Sequence, residues 1–387
     1  MLPETPWLDV DAILADPEIR IIVCCGAGGV GKTTTAAAVG LRAAERHGRR
    51  TVVLTIDPAR RLAQSMGLTE LENTPRQVKG VQAEGPGELH AMMLDMKRTF
   101  DEVVLAHTDP KRAEEIFANP FYQAMSSTFA GTQEYMAMEK LGQLRARDEW
   151  DLIVVDTPPS RSALDFLDAP SRLGRFLDGR MLRLLLAPAR AGGRSVFNLV
   201  SASFNLFTRA VTKILGAQLL SDLSGFVAAL DSMFGGFRER SEQTYRILQA
   251  RETAFLVVAA PEPDAIREAA YFAGRLAADR MPMAGLVLNR VTTVAAPALA
   301  GQTAAAAAVR LDELGGHAVA ADVLRVHARL VEQTVRQDAV ARRFLRAYPD
   351  VPVARVAAQP ADVHDIDGLR EIGAALSRRL PVRCPSP

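Results

Sequence analysis

Short apolar runs alternate with amphipathic patterns of helical period along most of the chain. Nearly every position of these runs is apolar, which is typical of strands covered on both faces in a parallel sheet. The alternation predicts an α/β fold with a doubly wound, mostly parallel sheet and helices on both faces. The clearest predicted helices are Lys32–His47, Gln133–Arg147, Asp264–Asp279 and Ala318–Ala347. The predicted strands are Ile21–Cys25, Thr51–Ile56, Leu89–Leu94, Leu152–Val155, Phe255–Ala259, Gly285–Leu288 and Val353–Ala357.

The alternation stops between Val155 and Phe255, where the chain has no strand pattern. We expect two segments, at about residues 97–138 and 172–248, to form a helical subdomain inserted into a single domain of residues 1–387. Both segments are rich in leucine, phenylalanine and methionine. Two interpretations remain open: these side chains pack as core, or they line a groove for a hydrophobic helix of a client protein. The alanine-rich residues 294–314 are predicted as a loose helix or a surface loop.

Charge and cysteine content exclude several classes of protein. The net charge is +1, which gives no overall field for nucleic acid, and we expect no nucleic-acid partner. Only three cysteines occur, Cys24, Cys25 and Cys384, without a C-x-x-C pair, so we expect neither zinc nor an iron–sulfur cluster. The first residues lack a signal-peptide pattern, and no run of 18 uncharged apolar residues follows. We therefore expect a cytoplasmic protein without a stable membrane anchor.

A glycine-rich loop follows the first predicted strand and opens the first long helix. Its sequence, GAGGVGKTTT at residues 26–35, fits the P-loop pattern G-x-x-x-x-G-K-[ST] in the strand–loop–helix context that this motif requires. Glycines let backbone N–H groups surround phosphate oxygens, and the helix N-terminus adds positive charge there. We expect Lys32 to reach the β- and γ-phosphates and Thr33 to hold Mg²⁺. The predicted nucleotide-binding residues of the loop are Gly26, Gly28, Gly29, Val30, Gly31, Lys32, Thr33 and Thr34.

Two aspartates follow the ends of predicted strands. Asp156 comes after the strand Leu152–Val155, and its position predicts a role in holding Mg²⁺ together with Thr33. Asp57 follows the second strand, where a carboxylate near the γ-phosphate could orient or deprotonate the attacking water. We therefore predict Asp57 and Lys32 as the catalytic residues.

These motifs together resemble those of the arsenite-pump (ArsA) and tail-anchored-protein targeting ATPase family. Gly28–Thr34 is similar to its deviant P-loop, K-G-G-x-G-K-[ST]-T, Asp57-Pro58-Ala59 resembles its first switch, and residues 156–167 resemble its second switch more loosely. Asn289 is similar to the family's strand-end asparagine that reads adenine. The resemblance implies a P-loop NTPase fold, ATP or ADP with Mg²⁺ as cofactors, and a dimer.

One departure from the family pattern concerns its additional lysine, which is Ala27 in this chain. In relatives that lysine reaches the phosphates bound by the other subunit, as an arginine finger does, and such a group contributes about 10³–10⁵ in rate. Three alternatives remain open: hydrolysis is slow, another cation such as Arg60 or Arg61 replaces the lysine, or a different subunit supplies it. A heterodimer with a paralogous ATPase and a homodimer therefore stand as equal alternatives.

The resemblance implies an Mg²⁺-dependent ATPase whose ATP binding and hydrolysis switch a dimer between conformations, for targeting or handling a membrane-directed client. The alternative is a non-catalytic or weakly catalytic nucleotide-binding subunit that regulates a paralogous ATPase. An arsenite or anion efflux pump ATPase is a weaker hypothesis, because Cys24 and Cys25 lie within a strand and are expected to be buried structural residues. A partition or division-site ATPase is weaker too, since such relatives depend on the missing lysine.

Overall fold

A single eight-stranded sheet accommodates all seven predicted strands in the computed structural model, which describes residues 6–57, 61–68, 70–83, 85–120, 122–123, 132–158 and 239–378. The strands are β1 (Ile21–Gly26), β2 (Arg50–Thr55), β3 (Arg76–Gln77), β4 (Glu88–Met93), β5 (Leu152–Asp156), β6 (Thr253–Ala259), β7 (Met283–Val291) and β8 (Val353–Ala357). Their order in the sheet is β3-β4-β2-β5-β1-β6-β7-β8, and every neighbouring pair is parallel except β3 and β4. The predicted α/β class and mostly parallel sheet are confirmed.

Ten helices with defined bounds lie in the described residues, and the helical residues 239–249 follow the undescribed part of the chain. The helices are α1 (Val10–Ala15), α2 (Lys32–His47), α3 (Arg61–Ser65), α4 (Met96–His107), α5 (Pro110–Ala118), α6 (Thr132–Arg147), α7 (Pro263–Ala278), α8 (Gly301–Leu314), α9 (Ala318–Ala347) and α10 (Ile366–Leu376). Helices α2 and α9 have the predicted bounds, α6 begins one residue earlier than predicted, and α7 both begins and ends one residue earlier.

The central strands are buried at every position. All residues of β1, β5 and β6 are buried, as a strand covered on both faces requires. Helix α2 packs on β1, β2, β4 and β5, and its alanine-rich face lets it lie close to the sheet. Because β1 and β5 are parallel neighbours, the loop after β1 and Asp156 at the end of β5 emerge at the same edge of the sheet.

Two elements differ from the sequence prediction. Strand β3 was not predicted, because its two residues carry no apolar pattern and form a strand only through antiparallel pairing with β4. Residues 301–314 of the alanine-rich segment form the regular helix α8, which is held by packing on α9 rather than by an apolar periodicity of its own.

The chain divides into two compact units. The first comprises Met1–Met93, Arg147–Ala163 and Ile247–Pro387 and contains the whole sheet. The second comprises Leu94–Ala146 and Leu164–Arg246, and its described residues are helical for the most part. The inserted subdomain at about 97–138 and 172–248 stays a prediction, because residues 159–238 lie outside the described residues.

Candidate nucleotide-binding site

The glycines of the loop after β1 permit a backbone path that other residues could not follow. Gly26 has φ +150°, and a Cβ there would lie 2.0 Å from the carbonyl oxygen of Val258. Gly31 has φ +92°, and a Cβ there would lie 2.3 Å from Nδ2 of Asn289. The loop therefore turns into α2 under steric conditions that only glycine meets. Helix α2 starts at Lys32 with no side-chain cap, so its first N–H groups stay available to an anion.

Lys32 lies beneath this loop as a buried cation. The residue is 6% exposed, and Nζ donates a hydrogen bond of 2.8 Å to the carbonyl oxygen of Ala27. Burial lowers the pKa of Lys32, while the nearby carboxylates of Asp156 and Asp57 act in the opposite direction. The bond to Ala27 uses one of the three ammonium protons, which leaves donor capacity for phosphate oxygens.

Asp156, at the end of β5, is fully buried next to the start of α2. Its Oδ2 accepts hydrogen bonds from Oγ1 of Thr33 at 2.8 Å and from Oγ1 of Thr55 at 2.9 Å. Its Oδ1 is also buried and has no hydrogen-bond partner among the described residues. Burial is the largest cause that raises the pKa of Asp156 to about 6, against the lowering effects of the two threonines and Lys32. A buried carboxylate oxygen without a partner is uncommon in structural positions.

The residues around Asp156 fit a magnesium ion. Hydroxyl and carboxylate oxygens are the ligands that Mg²⁺ prefers, and Oδ1 supplies an acceptor that no group in the described part of the chain uses. Thr33 and Asp156 would hold the ion, directly or through water. Bound Mg²⁺ would supply positive charge that offsets the charge of the phosphates.

Asp57 follows β2 at the same edge of the sheet. Its N–H donates to Oγ1 of Thr55 at 3.2 Å, the same threonine that donates to Asp156. Asp57 is half-buried. Residues 58 and 59 of the predicted first switch, Arg60 and residues 159–167 of the predicted second switch lie outside the described residues, and so does the side chain of Arg61.

Asn289 of β7 contacts the loop itself. Its Nδ2 donates to the carbonyl oxygen of Val30 at 2.8 Å, and its Oδ1 accepts from the N–H of Arg290 at 2.9 Å. Each end of the amide thus has one protein partner and one remaining donor or acceptor position. Its role in reading adenine stays a prediction.

Sequence reasoning missed the contribution of Thr55. Parallel pairing places Thr55 of β2 directly beside Asp156 of β5, and its hydroxyl joins the two aspartates of the site. A threonine near the end of a predicted strand, two residues before a predicted site residue, is a signal that could have identified it. Thr157 was also missed: its hydroxyl donates to the carbonyl oxygen of Cys24 at 2.9 Å and fixes the chain as it leaves β5.

The two described cysteines lie in buried surroundings that are typical of structural residues. Cys24 and Cys25 are buried in β1, and burial raises the pKa of both thiols, that of Cys25 to about 12. In the part of the chain that the structure describes, no cluster of three or more histidine, cysteine, aspartate or glutamate residues suits a metal ion. None of the described helices is long and apolar enough to span a membrane.

Comparison with known proteins agrees with this geometry. The chain is 28% identical to "ATPase GET3" of Malassezia globosa over 43% of this chain and 46% of that protein. It is 27% identical to "ATPase ASNA1 homolog 1" of Paramecium tetraurelia over 43% and 48% of the two chains. It is 30% identical to a Halobacterium salinarum protein provisionally named an arsenical pump-driving ATPase, over 48% and 30%.

The matches leave much of each relative uncovered, since the chain spans less than half the length of these curated proteins. The family model described as an anion-transporting ATPase matches residues 19–298, which include every predicted site residue. On this match, the chain belongs to the ArsA ATPase family.

Proposed function

We propose that this chain is an Mg²⁺-dependent ATPase. The observation that carries the proposal is the buried Oδ1 of Asp156, which has no hydrogen-bond partner among the described residues although it lies beside Thr33 at the start of a P-loop helix. The family match over residues 19–298 supports the same activity. Asp57 and Lys32 are the proposed catalytic residues.

The proposed roles follow from what each residue can donate or accept. The N–H groups of residues 28–34 and the ammonium of Lys32 bind phosphate oxygens, and Thr33 and Asp156 hold the metal ion. Asp57, half-buried and held through Thr55, orients the attacking water or takes its proton. Asn289 contacts the base while it ties β7 to the loop.

Dimer switching and client handling are further parts of the proposal. They rest on the resemblance of the motifs to the targeting ATPases and on the apolar segments at about 97–138 and 172–248. The composition, with only three cysteines, supports a cytoplasmic location. The pump hypothesis has support from the family description, but Cys24 and Cys25 are buried in β1 and offer no accessible thiolate for arsenite.

Hydrolysis by the isolated chain tests the activity. The purified protein is mixed with radiolabelled ATP in excess of nucleotide-binding sites, with Mg²⁺ or with EDTA, and released phosphate is counted. We expect turnover that requires Mg²⁺ and is lost in K32A. Tight ATP binding without turnover would reject the catalytic proposal for the lone chain.

A regulatory subunit of a heterodimer is the second candidate, and Ala27 favours it. Ala27 is buried, and its carbonyl oxygen accepts from Lys32, so this position supplies no cation to a neighbouring subunit. Native mass spectrometry of the protein isolated from its own cells, with Mg²⁺ and ATP, distinguishes the candidates. A mixed dimer with a second ATPase chain supports this candidate, and a homodimer that retains ADP contradicts it.

A further inference from the structure

Helix α9 presents an apolar stripe to solvent along its first half. Val319, Val323 and Val326 are 79%, 62% and 54% exposed, and Leu330 continues the stripe half-buried. Spacings of four, three and four residues place them at the d, a, d and a positions of a heptad repeat. The stripe lies outside residues 19–298, the part of the chain that matches the family.

The rest of α9 is packed within its own chain. Ala321 is buried on the face opposite the stripe, and a Cβ on Gly301 of α8 would lie 3.3 Å from the side chain of Val331. Phe344 lies three heptads after Val323 and is buried, and Oη of Tyr348 donates to a carbonyl oxygen of α7. The same heptad stripe is therefore covered at its carboxyl end and uncovered at its amino end.

Charged residues beside the stripe indicate what covers it. With Val323 at position a, both Asp322 and Arg329 occupy position g, and in an antiparallel pair of helices each g residue lies opposite another g residue. If Val323 packs on Val326 of a second copy, Asp322 lies opposite Arg329 at both ends of the pair. Asp322 is exposed, and its Oδ1 accepts from Arg325 of the same helix at 2.8 Å, so a second arginine would join an existing surface pair. Arg329 is exposed and forms no ion pair within the part of the chain that the structure describes.

A parallel pair would lack this complementarity. It would place Asp322 opposite His327 of the second copy, and Nε2 of His327 already contacts the carbonyl oxygen of Leu299 at 2.9 Å. Gly316 and Gln333 occupy the heptad positions before and after the stripe, so the apolar stretch ends at both sides. The midpoint of the stripe lies between Val323 and Val326, where the two-fold axis of an antiparallel pair would pass.

We propose that two copies of this chain associate through the exposed stripe of α9 as an antiparallel helix pair. The interface consists of four apolar layers flanked by two Asp322–Arg329 ion pairs. It is smaller than the interface of a permanent dimer, so the association depends on protein concentration. The inference goes beyond the proposed function, since none of these residues belongs to the nucleotide site.

Sedimentation equilibrium of the full chain in EDTA, without nucleotide, tests the proposal. We expect a reversible dimer, and in V323E/V326E a dissociation constant more than about 100-fold higher, since carboxylates enter the apolar layers. V309E is the matched control, because Val309 of α8 is 55% exposed and lies outside the stripe. A monomer at every concentration, or equal dimerisation of V323E/V326E and wild type, overturns the proposal.

Charge reversal tests the antiparallel arrangement itself. D322R places two arginines opposite each other and should raise the dissociation constant about tenfold, whereas D322R/R329D should return it to within about threefold of wild type. Failure of the double variant to recover dimerisation overturns the antiparallel pairing. Circular dichroism confirms that α9 still folds, and unchanged binding of a fluorescent ATP analogue separates this result from any failure of the ATPase proposal.

Discussion

Buried polar groups at the two ends of helix α2 differ in how completely they are hydrogen-bonded. Past its carboxyl end, Arg49 is buried and donates four hydrogen bonds to main-chain carbonyl oxygens. At its amino end, Oδ1 of Asp156 has no hydrogen-bond partner among the described residues, and Lys32 makes one bond to its own loop. Both regions belong to the same compact unit and pack on the same sheet.

This difference separates groups that serve folding from groups that serve a ligand. A buried donor or acceptor without a partner costs about 1–3 kcal/mol, so folding stability alone favours the arrangement around Arg49. On the proposed function, the arrangement around Asp156 is disfavoured in the free protein and becomes favourable when a cation and phosphates complete it. Substitutions at the Arg49 end should therefore lower stability, and substitutions at the Asp156 end should lower function.

The largest effect is expected for D57N, on turnover rather than stability. Removal of a group that orients or deprotonates water should lower the hydrolysis rate about 10³-fold, or about 4 kcal/mol, with ATP affinity unchanged. Single-turnover hydrolysis measures the rate, and D350N, at an exposed aspartate before β8, is the control. A rate within threefold of wild type would exclude Asp57 from water activation.

R49M should cause the largest loss of stability. It removes a buried guanidinium and leaves four carbonyl oxygens without their donor, which should lower the free energy of unfolding by about 3 kcal/mol. Urea denaturation measures this loss, and ATP affinity of the folded protein should not change. R50M is the matched control, because Arg50 pairs with Asp151 at the surface and should contribute much less to stability than the buried Arg49. Equal losses in both variants would contradict the structural role of Arg49.

D156N should stabilise the metal-free protein while it abolishes Mg²⁺-dependent binding. Burial raises the pKa of Asp156 from 3.8 to about 6, so the folded state binds its proton more tightly than the unfolded state. Stability therefore falls as pH rises from about 4 to 6, and the ionised group costs about 3 kcal/mol above that range. We expect D156N to recover about 1–2 kcal/mol at pH 8 in EDTA.

The gain of D156N should disappear at pH 4, where the aspartate is protonated in the folded state. Urea denaturation in EDTA at pH 8 and at pH 4 measures the difference in stability between D156N and wild type. A loss of stability at pH 8 would mean that Asp156 is a structural residue like Arg49.

The smallest effect is expected for D11N, in α1, where Asp11 contacts Arg42 and His47 of α2. Hydrogen bonds from Arg42 and then His47 hold the pKa of Asp11 well below its usual range, against the effect of burial. The stability that ionised Asp11 contributes through these hydrogen bonds is present above the ordinary pKa of aspartate. It is lost as pH falls through the lowered pKa of Asp11 in the folded state. Because Asp11 is partly exposed, we expect a loss of about 0.5–1 kcal/mol at pH 7 that shrinks below pH 4. A loss of stability that stays constant from pH 7 to pH 2 would show that the effect does not come from the ionised carboxylate of Asp11.

The glycine-rich loop at the amino end of α2 could be predicted from sequence because the residues that define it are close together in the chain. The spacing of Gly26, Gly31 and Lys32 between a strand and a helix defines the P-loop within one stretch of chain. The bond between Thr55 and Asp156 joins residues 101 positions apart and depends on the order of β2, β5 and β1, which no local pattern encodes.

Features that depend on contacts between distant elements could not be predicted from sequence either. The bounds of α9 were predicted, but the period of its apolar residues does not tell which face another helix covers. The isolation of Oδ1 of Asp156 depends on three elements that meet only in the folded chain.

Isothermal titration of wild type, K32A and R50M with ADP, each with Mg²⁺ and with EDTA, tests the central claim most directly. We predict binding to wild type and R50M that Mg²⁺ strengthens at least tenfold, and loss of binding in K32A. Binding that is independent of Mg²⁺ and of Lys32 would contradict the claim that a metal–nucleotide ligand completes the polar groups at this end of α2.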